Sequence, residues 1–374
     1  MPSITDHSPF VTPAGRALML PGLPAHVPLA VQIRGELVEG VHYGSVAATG
    51  ADGGLLWEAG DSSVPFYPRS TLKPLQAVAL VRAGLSLPDE LLALAAASHS
   101  GGKAHREGAL RILTLHGLGI SALENTVDLP YGVREREQWL HDGGSADHLC
   151  QNCSGKHAAM AGVCALNGWP VAGYLNPDHP LQQLVAATIA ELTGEEPAGW
   201  STDGCGTPLP ALSLAGIARA YGRLAQAAAE AQTRDGGHTG EAHDGGHTGG
   251  AHDGGSVAVS AEAAVARAMT AHPEMVAGEG RDVTLLMRRL PGAVAKDGFE
   301  GVQLVGLPDG RAIAVKISDG GDRARMPVAV RALAALGISE AAPDGPLADL
   351  AASTVLGGGR PVGLLAALDD AFPA

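Results

Sequence analysis

The stretch "RSTLKPLQAV", residues 69–78, places a serine three positions before a lysine where a helix is predicted to begin. On a helix, side chains three positions apart share one face, so the Lys73 amine can reach the Ser70 hydroxyl. A neutral lysine amine can activate a serine nucleophile, and the unpaired N–H groups of a helix N-terminus suit a developing oxyanion. Pro74 fits a first helical turn if Ser70 or Thr71 caps the helix. The stretch therefore predicts a Ser-Lys pair at a helix start.

A Ser-x-x-Lys spacing by itself is a weak motif, because it also describes two surface residues that happen to be neighbours. The sequence contains a second copy, Ser100 and Lys103, within "SHSGGKAHR" (98–106). Its glycines predict a loop, which does not hold two side chains on a shared face. The first copy therefore needs support from other parts of the chain.

Composition narrows the class of protein. The 374 residues are 45% hydrophobic and carry a formal net charge of −14, which disfavours nucleic acid and anionic membranes as partners. No apolar run is long enough to span a membrane, and the N-terminus lacks the pattern of a secretory signal. Four cysteines do not form a disulfide framework in a chain of this length. We expect a soluble cytoplasmic protein of the size of an enzyme.

The order of the predicted elements indicates a mixed α/β fold. Residues 1–27 read as a proline-rich arm, and residues 28–374 as the catalytic domain. Short β-rich runs split by "TGADGG" (49–54) open this domain, helical segments fill its middle, and two strands joined through "PDG" (308–310) precede a last helix.

A segment at residues 234–255 interrupts this order. It repeats Gly, His and Asp with a period of nine and has no side chains with which to build a core. We expect a flexible insertion. Metal binding by its histidines is the alternative, through His238, His243, His247 and His252.

Lysine is rare in this chain, with five lysines among the 25 basic residues. Arginine cannot lose its proton in a protein, whereas a buried lysine can, so the lysines mark candidate positions for a titratable amine. Chance placement under a codon bias is the alternative. Lys296 lies in "AKDGFEG" (295–301), at the start of a predicted strand. A second cation there would favour the uncharged amine of Lys73. The alternative is a lysine in a solvated turn.

Two cysteine-containing stretches suggest a metal site. "CQNCSGKHAAM" (150–160) holds Cys153 and Lys156, and "STDGCGTP" (201–208) holds Cys205 in a glycine-flanked loop. Two thiolates and a third donor make a plausible zinc site, although a lysine ligand would have to be neutral. Buried unreactive thiols are the alternative. Cys150 and Cys153 also form a Cys-x-x-Cys half-motif, but no second copy completes a zinc ribbon.

Several ordered segments together carry a resemblance to a known family. They are "IRGELVEGVHYGSV", "RSTLKPLQA", "ASHSG", "NCSGKHAAM", "DHPLQ", "TDGCGTP", "MTAHPEMVAGEGR", "AKDGFEGVQ" and "AVKISDG". From about Pro28 to the C-terminus, the sequence resembles the bacterial serine–lysine L-asparaginase family, often called asparaginase II. Cys150, the nine-residue repeat and the N-terminal arm depart from the family pattern.

This resemblance implies a fold similar to serine β-lactamases and penicillin-binding proteins, an α/β sandwich with a helical subdomain. It implies a homodimer that hydrolyses L-asparagine to L-aspartate and ammonia. The family's motifs fall on catalytic residues Ser70, Lys73, Ser98 and Lys296, on substrate-binding candidates Arg69, Asp203 and His157, and on zinc ligands Cys153, Lys156 and Cys205. The second serine is assigned within "SHS", with Ser98 favoured over Ser100.

Four other classes of protein are alternatives to a serine–lysine asparaginase. A serine-type glutaminase or a β-lactam-acylated peptidase would use similar residues, although the missing export signal argues against cell-wall substrates. A threonine-dependent asparaginase is disfavoured because "TGADGG" lacks a second threonine–lysine–aspartate set. A non-catalytic zinc-binding protein on the same scaffold would have no need of the Ser70, Lys73 and Lys296 set.

Overall fold

The first three strands of the chain lie where the sequence predicts short β-rich runs. The computed structural model describes residues 23–236 and 259–373. Most of the predicted arm (1–27), and residues 237–255 with the four repeat histidines, lie outside the described residues, so the predicted division into arm, domain and insertion stays a prediction. The described strands are β1 (Val27–Arg34), β2 (Leu37–Thr49), β3 (Leu55–Ala59), β4 (Gly199–Thr202), β5 (Pro208–Ala211), β6 (Val294–Gly298), β7 (Val302–Gly306), β8 (Ala312–Ile317), β9 (Ala352–Gly357) and β10 (Arg360–Ala367).

Eight of these strands form one antiparallel sheet. Its order is β6-β7-β8-β2-β1-β10-β9, with β3 pairing the second half of β2. Residues 46–49 of β2 are paired on both sides, by β3 and by β8, and are fully buried. The predicted hairpin through "PDG" is confirmed as β7 and β8, and β4 and β5 form a separate two-stranded sheet.

The middle of the chain is helical, as predicted. The described helices are α1 (Lys73–Arg82), α2 (Asp89–Ala95), α3 (Lys103–Leu115), α4 (Val133–His141), α5 (Ser154–Leu166), α6 (Pro180–Thr193), α7 (Leu214–Gly236), α8 (Ala261–Ala271), α9 (Pro273–Val276), α10 (Asp282–Arg289) and α11 (Arg325–Ala335). No helix within the described ranges is long and apolar enough to cross a membrane.

The predicted cap of α1 is wrong. Residues 69–72 form one turn of 3-10 helix, α1 begins at Lys73, and neither Ser70 nor Thr71 caps it. The Thr71 hydroxyl instead donates backwards to the Pro68 carbonyl at 2.8 Å. Pro74 does lie in the first turn of α1, because the preceding 3-10 turn already directs the chain into the helix.

Helices cover both faces of the sheet where the strands are buried. Gly306 of β7 faces α7, and the Gln303 side chain of β7 bonds Arg325 at the start of α11. Side chains an odd number of positions apart on a strand point to opposite faces, so α7 and α11 pack on opposite sides. The result is a mixed α/β structure with helices on either side of an antiparallel sheet.

Glycines set the distance between α7 and β7. A Cβ atom on Gly306 would lie 2.1 Å from the Tyr221 carbonyl oxygen, and one on Gly222 would lie 2.2 Å from the Gly310 carbonyl oxygen. Both contacts are with backbone atoms, which cannot move aside without moving the helix or the sheet. The two glycines therefore fix how closely α7 packs.

We expect Gly306→Ala to lower the free energy of unfolding by roughly 1–3 kcal/mol, because it overpacks this contact. Gly40→Ala is the matched control, since a Cβ on Gly40 of β2 meets nothing within 4 Å; its expected effect is within about 0.5 kcal/mol. Thermal unfolding followed by circular dichroism measures both. Equal melting temperatures for the two variants would contradict the packing argument.

Candidate active site

Ser70 lies on a turn that is held from two sides, by α7 and by β6. The Tyr221 hydroxyl of α7 donates to the Thr71 carbonyl at 2.7 Å, and β6 passes so close that a Cβ on Gly298 would lie 2.8 Å from the Pro68 carbonyl oxygen. The residue before Ser70, Arg69, has a φ of 55°, in the left-handed region that non-glycine residues rarely adopt. Such strain costs about 1–3 kcal/mol and clusters at functional sites. The turn thus presents Ser70 in a fixed position.

A small pocket opens in front of Ser70. The open space between the residues that line it is about 250 Å³, a figure that includes its open mouth. The residues that line it are Ser70, Ser98, Tyr131, Asn152, Arg281, Asp297, Gly298, Phe299 and Asp322. Seven of these residues have polar side chains, and three of the seven are charged, with both signs present, which suits a small polar ligand.

Lys73 is buried behind the pocket with 1% of its surface exposed. Its Nζ contacts the Ala97 carbonyl oxygen at 2.7 Å, Ser98 Oγ at 2.9 Å and Cys153 Sγ at 2.9 Å. No hydrogen bond joins the described side chains of Ser70 and Lys73. The Lys73 amine contacts Ser98 instead of Ser70. A lysine amine that has lost its extra proton has one lone pair. At 2.9 Å from Ser98 Oγ, the Lys73 amine in that form can accept the proton of the Ser98 hydroxyl.

Ser98 and Ser100 face different surroundings. Ser98 lines the pocket with Ser70, whereas the Ser100 hydroxyl donates to the Ala277 carbonyl oxygen at 3.0 Å. The loop that carries both serines precedes α3, as the glycines of "SHSGGK" predict, and Lys103 is exposed on α3. The structure therefore brings Ser98, and not Ser100, to the pocket of Ser70.

Lys296 of β6 is a fully buried second amine. Its Nζ donates to the backbone and side-chain oxygens of Asp297. Burial lowers the pKa of Lys296 to about 8, the Asp297 carboxylate opposes that shift, and the nearby charge of Lys73 adds to it. Burial alone would raise the pKa of Asp297, but the cations of Lys296, Arg281 and Arg325 together hold it well below its usual range. The two candidate amines are therefore neighbours.

Arg281 is a pocket residue that the sequence analysis did not single out. Its Nη1 donates to the Ser98 carbonyl oxygen at 3.1 Å, its Nη2 pairs with Asp297, and its guanidinium lies 5.0 Å from the centre of the Tyr131 ring. Arg281 is the last residue of "MTAHPEMVAGEGR", one of the segments that carry the family resemblance. It is far in sequence from Ser98 and Tyr131, so no local pattern predicted that it lines the pocket with them.

The predicted substrate-binding residues lie beside the pocket without lining it. Arg69 Nε donates to Asp203 Oδ1 at 2.7 Å, so these two charges pair with each other. His157 is fully buried, with its Nδ1 2.8 Å from the Tyr174 hydroxyl and its Nε2 without a hydrogen-bond partner in the described part of the chain. Burial lowers the pKa of His157 to about 4. Their predicted substrate-binding roles stay predictions.

Cys153, Lys156 and Cys205 do come together. Lys156 Nζ lies 3.2 Å from Cys205 Sγ and 2.5 Å from Thr207 Oγ1, and the Cys153 thiol donates to Asn152 Oδ1 at 3.1 Å. The interaction with the Cys153 thiol, followed by the Lys156 charge, holds the pKa of Cys205 well below its usual range although burial opposes the shift. Burial opposes charge on Lys156, but the two sulfurs and Asp203 raise its pKa. Both shifts favour opposite charges on Cys205 and Lys156.

This cluster fits a zinc ion in its donor types. Sulfur and nitrogen are the atoms that zinc prefers in proteins. His157, whose buried Nε2 has no hydrogen-bond partner in the described residues, influences the charge of Cys205. Among the residues that the structure describes, no three His, Cys, Asp or Glu side chains form a metal-binding group. A zinc ion would therefore need the Lys156 amine as a ligand and would displace its proton.

Comparison with known proteins gives one family. The model of the family described as L-asparaginase II matches residues 30–367. No curated protein matches the chain. A solved structure titled "Crystal Structure Analysis of Mglu" is 18% identical over 75% of this chain and 62% of its own, with a TM-score of 0.30. The match thus spans about three fifths of that structure's chain, and at this TM-score it bears on neither fold nor function.

We expect NMR of the lysine side chains to show the Lys296 amine titrating near pH 8, and the Lys296→Met variant to lack that signal. Asp297→Asn should move this pKa further down, because it removes the attraction that favours the ammonium. The pKa of Lys296 in the folded protein is below its ordinary value of 10.5, so between about pH 8 and about pH 10.5 the unfolded chain binds more protons than the folded one. The free energy of unfolding therefore rises with pH across that range.

Asp309→Asn, in the turn between β7 and β8, is the matched control and should leave the titration of Lys296 unchanged. A Lys296 signal that titrates above pH 10 would contradict the proposed burial of its charge.

Proposed function

The chain belongs to the L-asparaginase II family, and from that premise we propose that it hydrolyses L-asparagine to L-aspartate and ammonia. The family indicates asparaginase-type hydrolysis of an amide in a small-molecule substrate. The observation that carries the finer proposal is that Ser70 and Ser98 line one small pocket, with the Lys73 and Lys296 amines buried close to it. Two hydroxyls backed by two amines suit acyl transfer to serine.

The proposed reaction has two steps. Lys73 removes a proton from Ser98, which in turn takes the proton of Ser70, and Ser70 Oγ bonds to the side-chain amide carbon of asparagine. N–H groups of the turn around Ser70 hold the oxyanion. The carbon–nitrogen bond then breaks, and ammonia leaves with the proton that Ser98 returns.

Water completes the reaction. It loses a proton to the same Ser98–Lys73 pair and attacks the β-aspartyl ester, and Ser70 regains its proton as L-aspartate is released. Lys296 contributes by its charge and burial, because a neighbouring cation favours the neutral form of a lysine amine. The contact between Lys73 and Ser98 supports a relay through Ser98. Direct transfer from Ser70 would require a contact between Lys73 and Ser70, and no such hydrogen bond is found among the described residues.

The scaffold proposal is a serine β-lactamase-like α/β sandwich. It is supported by the antiparallel sheet between α7 and α11, and by the Ser70 turn that packs against β6, the strand carrying Lys296. The homodimer and the cytoplasmic location expected from the family resemblance belong to the same proposal. Size-exclusion chromatography with light scattering tests the dimer.

The cofactor proposal is one zinc ion held by Cys153, Lys156 and Cys205. When bound, such an ion supplies a positive charge that can orient a substrate oxygen or organise the pocket wall. Cys153 also contacts the Lys73 amine at 2.9 Å, so its thiol links the metal ligands to the proton relay. His157, behind Cys205, would then support the ligand set, and Arg69 with Asp203 would hold the adjoining loop.

We expect Ser70→Ala to lower ammonia release from L-asparagine about a thousandfold or more, because it removes the nucleophile. Ser98→Ala should also lower the rate strongly, since it breaks the relay to Lys73. Ser100→Ala is the control and should keep the rate within about threefold, because its hydroxyl bonds the Ala277 carbonyl away from the pocket. A coupled ammonia assay measures all three.

The same assay decides the substrate. L-glutamine and a chromogenic cephalosporin are tested beside L-asparagine with the wild-type protein. Faster turnover of either would reject the asparaginase proposal, and so would unchanged ammonia release by Ser70→Ala.

We expect the protein loaded with cobalt(II) in place of zinc to absorb light by thiolate-to-metal charge transfer. Cys205→Ser should remove most of this absorption, whereas Cys164→Ser in the α5 core should keep it. Thiolate absorption distinguishes this site from metal bound to the histidine repeat, which has no cysteine. Equal absorption in Cys205→Ser and wild-type protein would exclude Cys205 as a ligand.

A further inference from the structure

The pocket of Ser70 carries charged groups of both signs that the proposed proton relay does not use. Arg281, Asp297 and Asp322 all line it. A free α-amino acid brings one carboxylate and one ammonium into such a pocket, and each must meet a partner of opposite sign or remain hydrated. The question is which pocket charges have hydrogen-bonding capacity left for a ligand.

Asp297 has little capacity left. One carboxylate oxygen accepts from the Lys296 amine, and the other accepts from the Arg281 guanidinium. It is nearly buried, and the surrounding cations already stabilise its negative charge. A ligand ammonium would have to compete with these bonds, so Asp297 serves to hold the two cations in place.

Asp322 is the pocket carboxylate with free acceptors. It lies in the loop between β8 and α11, and 54% of its side chain is exposed. Within the described chain its carboxylate accepts no hydrogen bond, and its ion pair with Arg325 Nε is long, at 3.6 Å. Burial against the protein, and the neighbouring charges of Asp297 and Asp282, raise the pKa of Asp322 although Arg325 opposes the shift. A bound ammonium would relieve that repulsion.

Arg281 is the pocket cation with free donors. A guanidinium has five N–H groups, and in the described residues Arg281 uses one for the Ser98 carbonyl and one for Asp297. The Tyr131 ring, 5.0 Å away, supports its plane. The remaining N–H groups suit the two oxygens of a carboxylate, which arginine binds in a fork.

We propose that Asp322 binds the α-ammonium and Arg281 the α-carboxylate of the amino-acid substrate, so that the side-chain amide is directed at Ser70. The inference rests on the proposed function and deepens it. Arg69 and Asp203, which the sequence analysis suggested for these two roles, pair with each other outside the pocket lining. Arg281 and Asp322 line the same small pocket as Ser70, so all three side chains face one binding space.

This assignment makes each charge of the ligand separately testable. Succinamate has the amide and the carboxylate of asparagine but no ammonium. 3-Aminopropanamide has the amide and the ammonium but no carboxylate. Loss of one protein partner should therefore weaken only those ligands that carry the matching charge.

The experiment measures dissociation constants by calorimetry in the Ser70→Ala background, so that turnover does not interfere. Adding Asp322→Asn should weaken L-asparagine about 10- to 100-fold, the range for a hydrogen bond to a charged group, and leave succinamate within about twofold. Asp319→Asn is the matched control: it lies three residues earlier in the same loop, pairs with His42 and does not line the pocket. It should change neither constant.

A second arm tests Arg281. Arg281→Lys keeps the charge but loses the fork, and should weaken L-asparagine and succinamate while leaving 3-aminopropanamide within about twofold. A merely structural role, through Ser98 or Asp297, would weaken all three ligands alike. Circular dichroism of each variant checks that the fold is retained.

Each failure has its own signature. Equal weakening of L-asparagine and succinamate by Asp322→Asn, or no weakening of either, would overturn the assignment of Asp322 while leaving the asparaginase proposal intact. Absence of binding for all three ligands in the Ser70→Ala protein, together with no ammonia release by the wild type, would overturn the proposed function and this ligand with it.

Discussion

The burial of two lysine amines side by side is the constraint on which the site depends. Lys73 and Lys296 are both removed from water, and each unit charge placed there is unfavourable unless a partner offsets it. Asp297 is that partner for Lys296, and Arg281 and Arg325 in turn hold Asp297 in its ionised form. The balance lowers the pKa of Lys296 to about 8.

The fold meets this constraint by bringing distant segments to one wall. The 69–72 turn, the loop before α3 and strand β6 supply Ser70, Ser98 and Lys296, and the N-terminal end of α10 adds Arg281. The turn is fixed by Tyr221 of α7, and α7 is set against the sheet through Gly306. Packing at a distance from the pocket therefore determines where Ser70 lies.

The thiol cluster shares this wall with the amines. Lys73 contacts Cys153, whose thiol also interacts with Cys205, so a change at the candidate metal site would also act on Lys73. The pKa of Cys205 is lowered and that of Lys156 is raised, and both shifts favour opposite charges on the two groups. Under the zinc proposal, Lys156 and Cys205 would become ligands once the lysine proton is lost.

Local patterns in the sequence determined the strands, the helices and the identity of most candidate residues. Alternation and turn residues predicted β7 and β8, and the glycines of "SHSGGK" predicted the loop that carries Ser98, because these signals act over a few neighbouring residues. The tertiary structure alone decided the rest. The partner of Lys73, the pairing of Arg69 with Asp203, and the entry of Arg281 and Asp322 into the pocket all join residues far apart in the chain. Such contacts depend on how the sheet and helices pack, and no spacing in the sequence encodes that distance.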